Sequence, residues 1–466
     1  MEKAPQVSEN IALQNIKRGA SMPFYWILSD IRKLRRGFLE AVLPLLEKEA
    51  IEREFTGFTR RKRVYHTWPL FVMFLSQVVT REPCRKEVAQ AISCRLVPPR
   101  TKGGTSAYCN ARARLPEKPL MKLAFKVGKK LAEKAGGGEL FFNRRVKVVD
   151  GSSAQLPDTP ANQSEYPQPS AQKTGCGIPV MYFSALMDLA TGAILRVVAT
   201  GGAGYERRLF RRLMYSLRKN DIILGDSAYM SFADIAMLLR RGVDCVFRWN
   251  NIRKHRMAGA VRLGEEDWLE TWEKPKYPGS WDPEMLPETV TVRVILFICE
   301  IGGFRPKTIK LVTTLTDPKR YPKDELMKLY ARRWEMELRL NDIKTTMRLG
   351  QLTCKTPDRC RKELWMGLLA YNLIRTIMLH AARRAKLEIA RISFAGTRDR
   401  IDAFGLSAFA RDDPADTYRL LLDHIAADPV PFRPFRSEPR KVKRRWTRHS
   451  LLTEPRNAAR HALSSS

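Results

Sequence analysis

Two aspartates and a glutamate are the residues of this chain whose types and positions suit phosphoryl-transfer chemistry. Asp150 ends the short apolar segment VKVVD, and Asp226 ends a similar segment, DIILGD. Both segments are predicted to be buried strands, and a carboxylate at the end of such a strand points into the crevice where α/β sheets bind ligands. Glu337 lies within residues 323–349, where the apolar pattern predicts a helix. These three carboxylates are therefore the candidate catalytic residues.

The predicted helix also carries side chains that suit phosphate binding. At about 100° per residue, four polar residues fall within a stripe roughly 60° wide, beside the apolar flank of the helix, as expected at the edge of a cleft. These four are Tyr330, Arg333, Glu337 and Lys344. Arg and Lys are good donors to phosphate oxygens. A surface ladder of ion pairs, such as the i,i+4 pair Arg333–Glu337, would produce the same pattern, and both interpretations remain open at this point.

Three carboxylates in one site require a counter-charge, because otherwise at least one of them would be protonated. Mg²⁺ prefers oxygen ligands, and a pair of such ions about 3.5–4 Å apart stabilises both the attacking and the leaving oxygen of a phosphodiester displacement. The eight cysteines form no CxxC pair, and the six histidines form no HExxH motif. The sequence therefore predicts Mg²⁺ held by carboxylates, with Mn²⁺ able to replace it.

The charge of the chain predicts a polyanionic partner. The 466 residues include 83 Lys and Arg against 49 Asp and Glu, a net charge of +34, while a hydrophobic content of 44% excludes a disordered chain. Nucleic acid is the expected partner. Two basic segments are predicted DNA contacts, although a solvated face and a disordered solubilising tail would look similar. They contain Arg60, Arg61, Lys62 and Arg63, and Lys443, Arg444 and Arg445 in the tail 431–460.

The apolar pattern divides the chain into five parts. Residues 1–135 are predicted to be helical, and 136–249 alternate strands and helices in the manner of a mixed α/β sheet. Residues 250–320 contain two β-rich runs, at 289–300 and 307–315, and are predicted to form an antiparallel insertion. Residues 321–390 are helical, and 391–466 are strongly basic. No apolar segment is long enough to span a bilayer, so we expect no membrane partner and a cytoplasmic protein with reduced cysteines.

The helix motif resembles that of a known family. Tyr330, Arg333, Glu337 and Lys344 match Tyr-x2-Arg-x3-Glu-x6-Lys, the YREK signature of the insertion-sequence-four family of DDE transposases, without a gap. The sequences DGS at 150–152, GD at 225–226 and SAYC at 106–109 are also similar to that family, and the resemblance covers about residues 60–460. It implies a ribonuclease-H-like α/β catalytic core with a β-rich insertion, flanked by helical N-terminal and C-terminal regions.

The resemblance implies a function as well as a fold. The expected activity is cut-and-paste transposition of a bacterial insertion sequence, by metal-dependent phosphodiester hydrolysis and strand transfer. Asp150, Asp226 and Glu337 would bind the metal ions, and Tyr330, Arg333 and Lys344 would contact terminal phosphates. Double-stranded DNA would be bound both as terminal inverted repeats, by residues 1–135, and as target. We expect a homodimer in the DNA complex, with 391–466 in synapsis, and association with the nucleoid.

One departure from the family and two alternatives are open. Some relatives carry a tryptophan in the last insertion strand that stacks on a flipped base during hairpin formation, and the nearest position here is Leu311. Any exposed indole can stack on a base. The candidate substitutes are Trp249, Trp268, Trp272 and Trp281, most of which we expect in the core. The alternative functions are a ribonuclease-H-like nuclease without strand transfer and a retained, non-enzymatic DNA-binding protein.

Overall fold

The computed structural model describes residues 41–42, 45–58, 63–98, 104–136, 139–202, 206–249, 259–276, 281–299, 307–407, 414–431, 454–455, 458 and 461. The chain divides into two compact units. The helical unit contains Met1–Glu133 and Asp342–Phe432, and the sheet unit contains Lys134–Asn341 and Arg433–Ser466. The predicted segments 136–249 and 250–320 therefore lie within one unit, whereas the predicted segment 321–390 is divided between the two.

The N-terminal part of the helical unit consists of short helices around one apolar helix. These are α1 (Lys48–Glu54), α2 (Thr67–Thr80), α3 (Cys84–Ser93), α4 (Ser106–Arg114) and α5 (Glu117–Glu133). The sequence of α2, TWPLFVMFLSQVVT, is apolar on every face, and all residues from Thr67 to Ser76 are buried. A helix with this pattern is stable only when other helices surround it. The helical character predicted for the described part of 1–135 is confirmed.

The second unit is built on a nine-stranded sheet with the order β3-β2-β1-β4-β5-β9-β8-β7-β6. Strands β4 and β5 run parallel to β1, and the other neighbouring pairs are antiparallel. The strands are β1 (Val146–Gln155), β2 (Val180–Asp188), β3 (Ile194–Thr200), β4 (Ile222–Gly225), β5 (Asp244–Arg248), β6 (Val261–Gly264), β7 (Asp267–Glu273), β8 (Thr289–Cys299) and β9 (Lys307–Thr313). The predicted mixed α/β sheet is confirmed.

The β-rich segment 250–320 is antiparallel, as predicted, but it continues the sheet of the preceding segment. Strand β9 pairs with β5, with Arg248 opposite Leu311, and the Thr313 hydroxyl donates a hydrogen bond of 2.7 Å to the Cys245 carbonyl oxygen. Without β9, β5 would be an edge strand with a row of unpaired backbone groups. Pairing with the insertion removes that edge, which is why the two segments share one sheet.

Helices cover the sheet: α6 (Pro160–Glu165), α7 (Glu206–Met214), α8 (Phe232–Arg240), α9 (Lys323–Ala331) and α10 (Trp334–Asn341). The prediction of one helix over 323–349 is wrong. Arg332 and Arg333 form a turn in which the amides of Arg333 and Met336 bond to carbonyls three residues back, at 2.9 and 3.0 Å. After α10, residues Asp342–Thr346 are π-helical. The tighter and then wider winding breaks the 3.6-residue period.

The chain returns to the helical unit with α11 (Pro357–Arg384), α12 (Phe394–Ser407) and α13 (Pro414–Ala426). Helix α11 has 28 residues, most of them buried, and packs against α5, α2 and α13. The Asn372 amide in α11 donates a hydrogen bond of 3.1 Å to the Ala124 carbonyl oxygen. In the part of the chain that the structure describes, no helix is both long and apolar enough to cross a membrane.

Candidate active site

The two aspartates lie at equivalent positions of neighbouring parallel strands. The β1–β4 pairing ends at Val148 opposite Leu224, and Asp150 and Asp226 each come two residues later. The prediction that Asp150 ends its strand is wrong, because β1 continues to Gln155 and pairs Asp150 with Ala185 of β2. Strand β4, in contrast, ends at Gly225. Asp150 therefore lies beside the point where its partner strand β4 has ended.

Local hydrogen bonds hold both aspartates. The Gly151 amide donates to Asp150 Oδ1 at 2.8 Å. Asp226 precedes a short 3₁₀ turn, Ser227–Tyr229, and its Oδ1 accepts a hydrogen bond of 2.8 Å from the Ala228 amide. One oxygen of each carboxylate thus accepts a hydrogen bond from the backbone, and this bond fixes the orientation of the side chain.

Arg333 connects the glutamate to the first aspartate. Its Nη2 donates to Glu337 Oε1 at 2.9 Å, and its Nη1 lies 3.7 Å from Asp150 Oδ2. Arg333 occupies the turn between α9 and α10, and α10 packs against β1. The i,i+4 ion pair that the sequence predicted does exist, but one of its members is also an ion-pair partner of Asp150. Arg333 and Glu337 therefore form the predicted surface ion pair and also lie next to Asp150, as the prediction of a cleft edge requires.

The carboxyl group of Asp150 is strongly perturbed. Its pKa is raised from 3.8 to about 6, first because burial disfavours the charged form, with the negative charges of Asp226 and Glu337 raising it further. The Gly151 amide and the Arg333 guanidinium oppose that rise in the pKa. The ionised carboxylate of Asp150 is therefore costly in the metal-free protein, chiefly because it is buried. A bound cation would stabilise the ionised form.

Tyr330, near the end of α9, lies close to the same group of charged residues. Its side chain is 6% exposed, and burial raises its pKa to about 12. Arg333 and Arg248 lower this pKa and Asp226 raises it, so the phenol lies within electrostatic range of all three groups. The hydroxyl is therefore protonated at neutral pH, and the Arg333 guanidinium donates a hydrogen bond to its oxygen. The structure thus brings together six groups from β1, β4, β5 and the α9–α10 segment.

Arg248 is a site residue that the sequence analysis missed. Gly225 pairs with Phe247 across the parallel strands β4 and β5, so Arg248 follows in the same register as Asp226. Asp150, Asp226 and Arg248 thus form one row across three strands. The side chain is exposed, and its charge lowers the pKa of Tyr330. The available signal was the third predicted strand, 244–249, whose last residues could have been aligned with the ends of the first two.

Other predicted site residues belong to the helical unit or lie outside the described residues. Lys344 lies in the π-helical segment Asp342–Thr346, which belongs to the helical unit, and its side chain is exposed. The 60° stripe predicted for it assumed an unbroken helix, which the turn and the π-helical winding exclude. Arg63 is exposed. The remaining predicted DNA contacts lie outside the described residues: Arg60, Arg61, Lys62, Lys443, Arg444 and Arg445.

The tryptophans considered for base stacking are largely structural. Trp249 and Trp272 are 6% and 4% exposed, and their ring centroids are 5.9 Å apart. The Trp281 indole donates a hydrogen bond of 2.7 Å to Asp234 Oδ1. Leu311 is fully buried in β9. The core interpretation is therefore confirmed for Trp249 and Trp272, whose indoles are not available to an incoming base.

The three carboxylates fit a divalent cation by ligand type and by charge. Hard cations prefer carboxylate oxygens, and the pKa of Asp150 is raised by burial and, to a smaller extent, by the charges of Asp226 and Glu337. Within the described residues, no group of three or more acidic, histidine or cysteine side chains is gathered closely enough to hold a metal ion as it stands. Glu337 is engaged by Arg333 in this conformation.

Comparisons with known proteins identify the class. Residues 142–373 match the family profile described as a transposase DDE domain. Over 378 residues the chain is 28% identical to the transposase InsG for insertion sequence element IS4 of Escherichia coli (strain K12), which covers 75% of this chain and 79% of the relative. A cryo-EM structure of a piggyBac transposase synaptic complex with hairpin DNA aligns with 84% of this chain and 79% of that chain, at a TM-score of 0.41 and 9% identity.

The transposase DDE domain and the IS4 relative define a DNA transposase, an enzyme class that cleaves DNA and transfers strands with the help of divalent metal ions. The same two matches support a DDE transposase of the insertion-sequence-four family. The matched segment 142–373 includes Asp150, Asp226 and Glu337. The family, the enzymatic class and the DNA transposase function predicted from the sequence are confirmed.

Proposed function

We propose that this transposase performs cut-and-paste transposition at the site formed by Asp150, Asp226 and Glu337. The observation that carries the proposal is the position of Arg333, 2.9 Å from Glu337 and 3.7 Å from Asp150. One guanidinium ties together two carboxylates that are far apart in the chain. Asp226 acts on the pKa values of both Asp150 and Tyr330 and so belongs to the same electrostatic group.

Mg²⁺ is the proposed cofactor, with Mn²⁺ able to replace it, and the three carboxylates would hold it. When bound, a divalent ion polarises the phosphodiester and lowers the pKa of an attacking water molecule. The protein prepares for it by burying Asp150 beside two like charges, which makes the ionised carboxylates costly without a counter-ion. Arg333 supplies part of that counter-charge in the metal-free protein.

The cationic and phenolic groups are proposed to bind the DNA backbone. Arg333 and Arg248 present guanidinium donors that suit phosphate oxygens. Tyr330, with a pKa of about 12, donates a hydrogen bond instead of accepting a proton. When a phosphate enters, Arg333 can exchange one of its carboxylate partners for a phosphate oxygen. That exchange would release Glu337 at the moment when the DNA is in place.

The architecture supports a ribonuclease-H-like core. The strand order β3-β2-β1-β4-β5, with β4 and β5 parallel to β1, forms one continuous half of the sheet, and β6–β9 form the insertion. Residues 1–135 are proposed to bind terminal inverted repeats and 391–466 to act in synapsis of a homodimer assembled on double-stranded DNA. The net charge of +34 supports this partner and a cytoplasmic, nucleoid-associated location.

The test compares two variants in which a glutamate of the same helix is replaced by glutamine. Glu337→Gln removes a proposed metal ligand, and Glu335→Gln, in which the native carboxylate bonds to Arg332 at 2.8 Å, is the matched control. Each protein is incubated with a plasmid that carries the element's own flanking DNA, in Mg²⁺, Mn²⁺ or EDTA, and with a target plasmid. Products are mapped on native and denaturing gels, and DNA binding is measured separately.

We expect metal-dependent excision and strand transfer with the wild-type protein and with Glu335→Gln, and neither with Glu337→Gln, while all three bind DNA. Hairpin ends on the excised fragment would establish the hairpin route. Excision by Glu337→Gln at the wild-type rate would overturn the site assignment. Cleavage without joined products would favour a nuclease, and binding without cleavage would favour a retained DNA-binding protein.

A further inference from the structure

A cavity in the helical unit brings two thiols together. It has a volume of about 450 Å³ and lies between the end of α2, the starts of α3 and α4, and residues 353–363. Cys84 is the first residue of α3, and Cys109 is the fourth residue of α4. Their Sγ atoms are 3.6 Å apart. Both side chains are partly exposed and line the cavity, so a small molecule in the cavity can reach both sulfurs.

The surrounding side chains fix the position of the Cys84 sulfur. Gln77 Nε2 donates to Cys84 Sγ at 3.3 Å, and Arg112 Nη1 approaches the same sulfur at 3.6 Å. The Arg112 guanidinium lies over the Phe74 ring, 4.5 Å from its centroid, and also donates to Gln77 Oε1 at 2.5 Å. Because Phe74 and Gln77 belong to the buried helix α2, this network positions Cys84 against a rigid element.

Most other cysteines in the described residues are buried: Cys94, Cys245, Cys354 and Cys360. Cys354 also lines the cavity and accepts a hydrogen bond of 3.3 Å from Arg112 Nη2. The Cys94 thiol donates to the Ala91 carbonyl oxygen at 3.4 Å, and the Cys360 thiol donates to the Cys354 carbonyl oxygen at 2.9 Å. These contacts are typical of structural thiols. Cys176 is partly exposed, like Cys84 and Cys109, but lies in the sheet unit.

We propose that Cys84 and Cys109 are a reversible oxidation site that forms an intramolecular disulfide with a low-molecular-weight disulfide such as oxidised glutathione. One thiolate attacks the glutathione disulfide and releases one glutathione thiol, and the second cysteine then displaces the other. The two cysteines lose two protons and two electrons, and one disulfide is reduced to two thiols. The sulfur atoms must approach from 3.6 Å to about 2.05 Å.

The cavity suits this co-reactant. Glutathione disulfide is an anion, and the cavity wall has more cationic than acidic side chains: Arg81, Arg112, Lys355 and Arg359 against Glu82 and Glu363. Both cysteines lie near the beginnings of their helices, next to the connecting segments 81–83 and 104–105. The new bond would close the loop of residues 84–109 and join α3 to α4. Closing a loop of this size stabilises a fold by restricting its unfolded state.

The experiment uses the full-length protein, incubated with oxidised glutathione, alkylated with N-ethylmaleimide and mapped by mass spectrometry without reduction. We expect peptides containing Cys84 and Cys109 to be joined within one chain, with the loss of two hydrogen atoms. We also expect a rise in Tm of about 5 °C that dithiothreitol reverses. Cys84→Ser and Cys109→Ser should show neither change, and Cys176→Ser should behave as the wild type does.

Mapping on the wild-type protein keeps the test independent of how the variants fold. Alkylation of both Cys84 and Cys109 after the oxidant has modified Cys176 would overturn the proposal. A stable single glutathione adduct on either cysteine, or a disulfide to another cysteine or to a second chain, would also overturn it.

Discussion

Replacing Asp150 by asparagine should abolish catalysis and at the same time stabilise the metal-free protein. The carboxyl is largely buried, its side chain being 21% exposed, and it lies near two like charges. Ionising it in the folded protein is therefore more costly than ionising it in the unfolded chain. Asparagine retains an oxygen for the Gly151 amide, which donates to Asp150 Oδ1 at 2.8 Å, and removes the cost of the charge.

The magnitude follows from the shift in pKa. A rise from 3.8 to about 6 is roughly two units, and each unit corresponds to about 1.4 kcal/mol, so the ionised carboxylate destabilises the fold by about 3 kcal/mol at neutral pH. That shift already includes the attraction to Arg333, so the variant should gain about 3 kcal/mol. For a unit of this size, that gain corresponds to a rise in Tm of about 6–12 °C.

The destabilisation caused by Asp150 should increase with pH. A carboxyl whose folded-state pKa is raised binds its proton more tightly in the folded protein, so its destabilising effect is absent below about pH 4. The effect grows between 3.8 and about 6, the unfolded and folded pKa values, and is complete above them. The advantage of Asp150→Asn over the wild type should therefore be full at pH 7.5 and small at pH 4.5.

Thermal unfolding in EDTA at pH 4.5, 6.0 and 7.5 measures this difference. Glu273→Gln, which removes an exposed carboxylate from β7 of the same unit, is the control and should leave Tm within about 1 °C of the wild type. A variant no more stable than the wild type at pH 7.5 would refute the reasoning. So would a gain of equal size at all three pH values, since it would arise from packing and not from charge.

Magnesium provides an independent check on the same residue. A ligand that binds only the folded state raises stability in proportion to the logarithm of its concentration. Adding Mg²⁺ should therefore raise the Tm of the wild type more than that of Asp150→Asn and narrow the gap measured in EDTA. An identical response of both proteins would show that Asp150 does not take part in binding the ion.

Two further predictions concern residues of the sheet unit. Arg248→Ala should lower the rate of DNA cleavage at least tenfold, and Arg248→Lys should retain part of the activity. The Tm should not change, because the side chain is exposed in the register position of Asp226. Full activity of the alanine variant in the plasmid assay would remove Arg248 from the site. Asp267→Asn should lower the free energy of unfolding, measured in urea, by about 3–5 kcal/mol. The reason is that fully buried Arg293 loses the carboxylate to which its Nε donates at 2.8 Å. A change below about 1 kcal/mol would contradict this explanation.

The helix that carries Glu337 shows why local periodicity predicts only part of a site. The pattern at 323–349 correctly indicated helical structure and the face of Tyr330, Arg333 and Glu337. It could not indicate the turn at Arg332 and Arg333 or the π-helical residues Asp342–Thr346. Both depend on which carbonyl each amide meets after packing, and side-chain spacing carries no record of that choice.

The β-rich segment shows a similar division. Alternation of apolar residues at 289–300 predicted an antiparallel strand, and β8 has this character. The pairing of β9 with β5 joins residues far apart in the chain, and backbone hydrogen bonds can form between any two compatible strands. Burial of Trp249 and Trp272 follows from that pairing, because the continuous sheet gives their indoles one shared core.

The sequence by itself predicted the chemistry of this protein. Residue types, strand endings and a family signature at residues 330–344 predict Asp150, Asp226 and Glu337 as metal ligands. Tertiary structure decided the geometry. The register that places Val148 opposite Leu224 and Gly225 opposite Phe247 aligns Asp150, Asp226 and Arg248, and packing of α10 on β1 brings Arg333 to Asp150. Register and packing depend on contacts between distant segments, so they are established only when the whole sheet has formed.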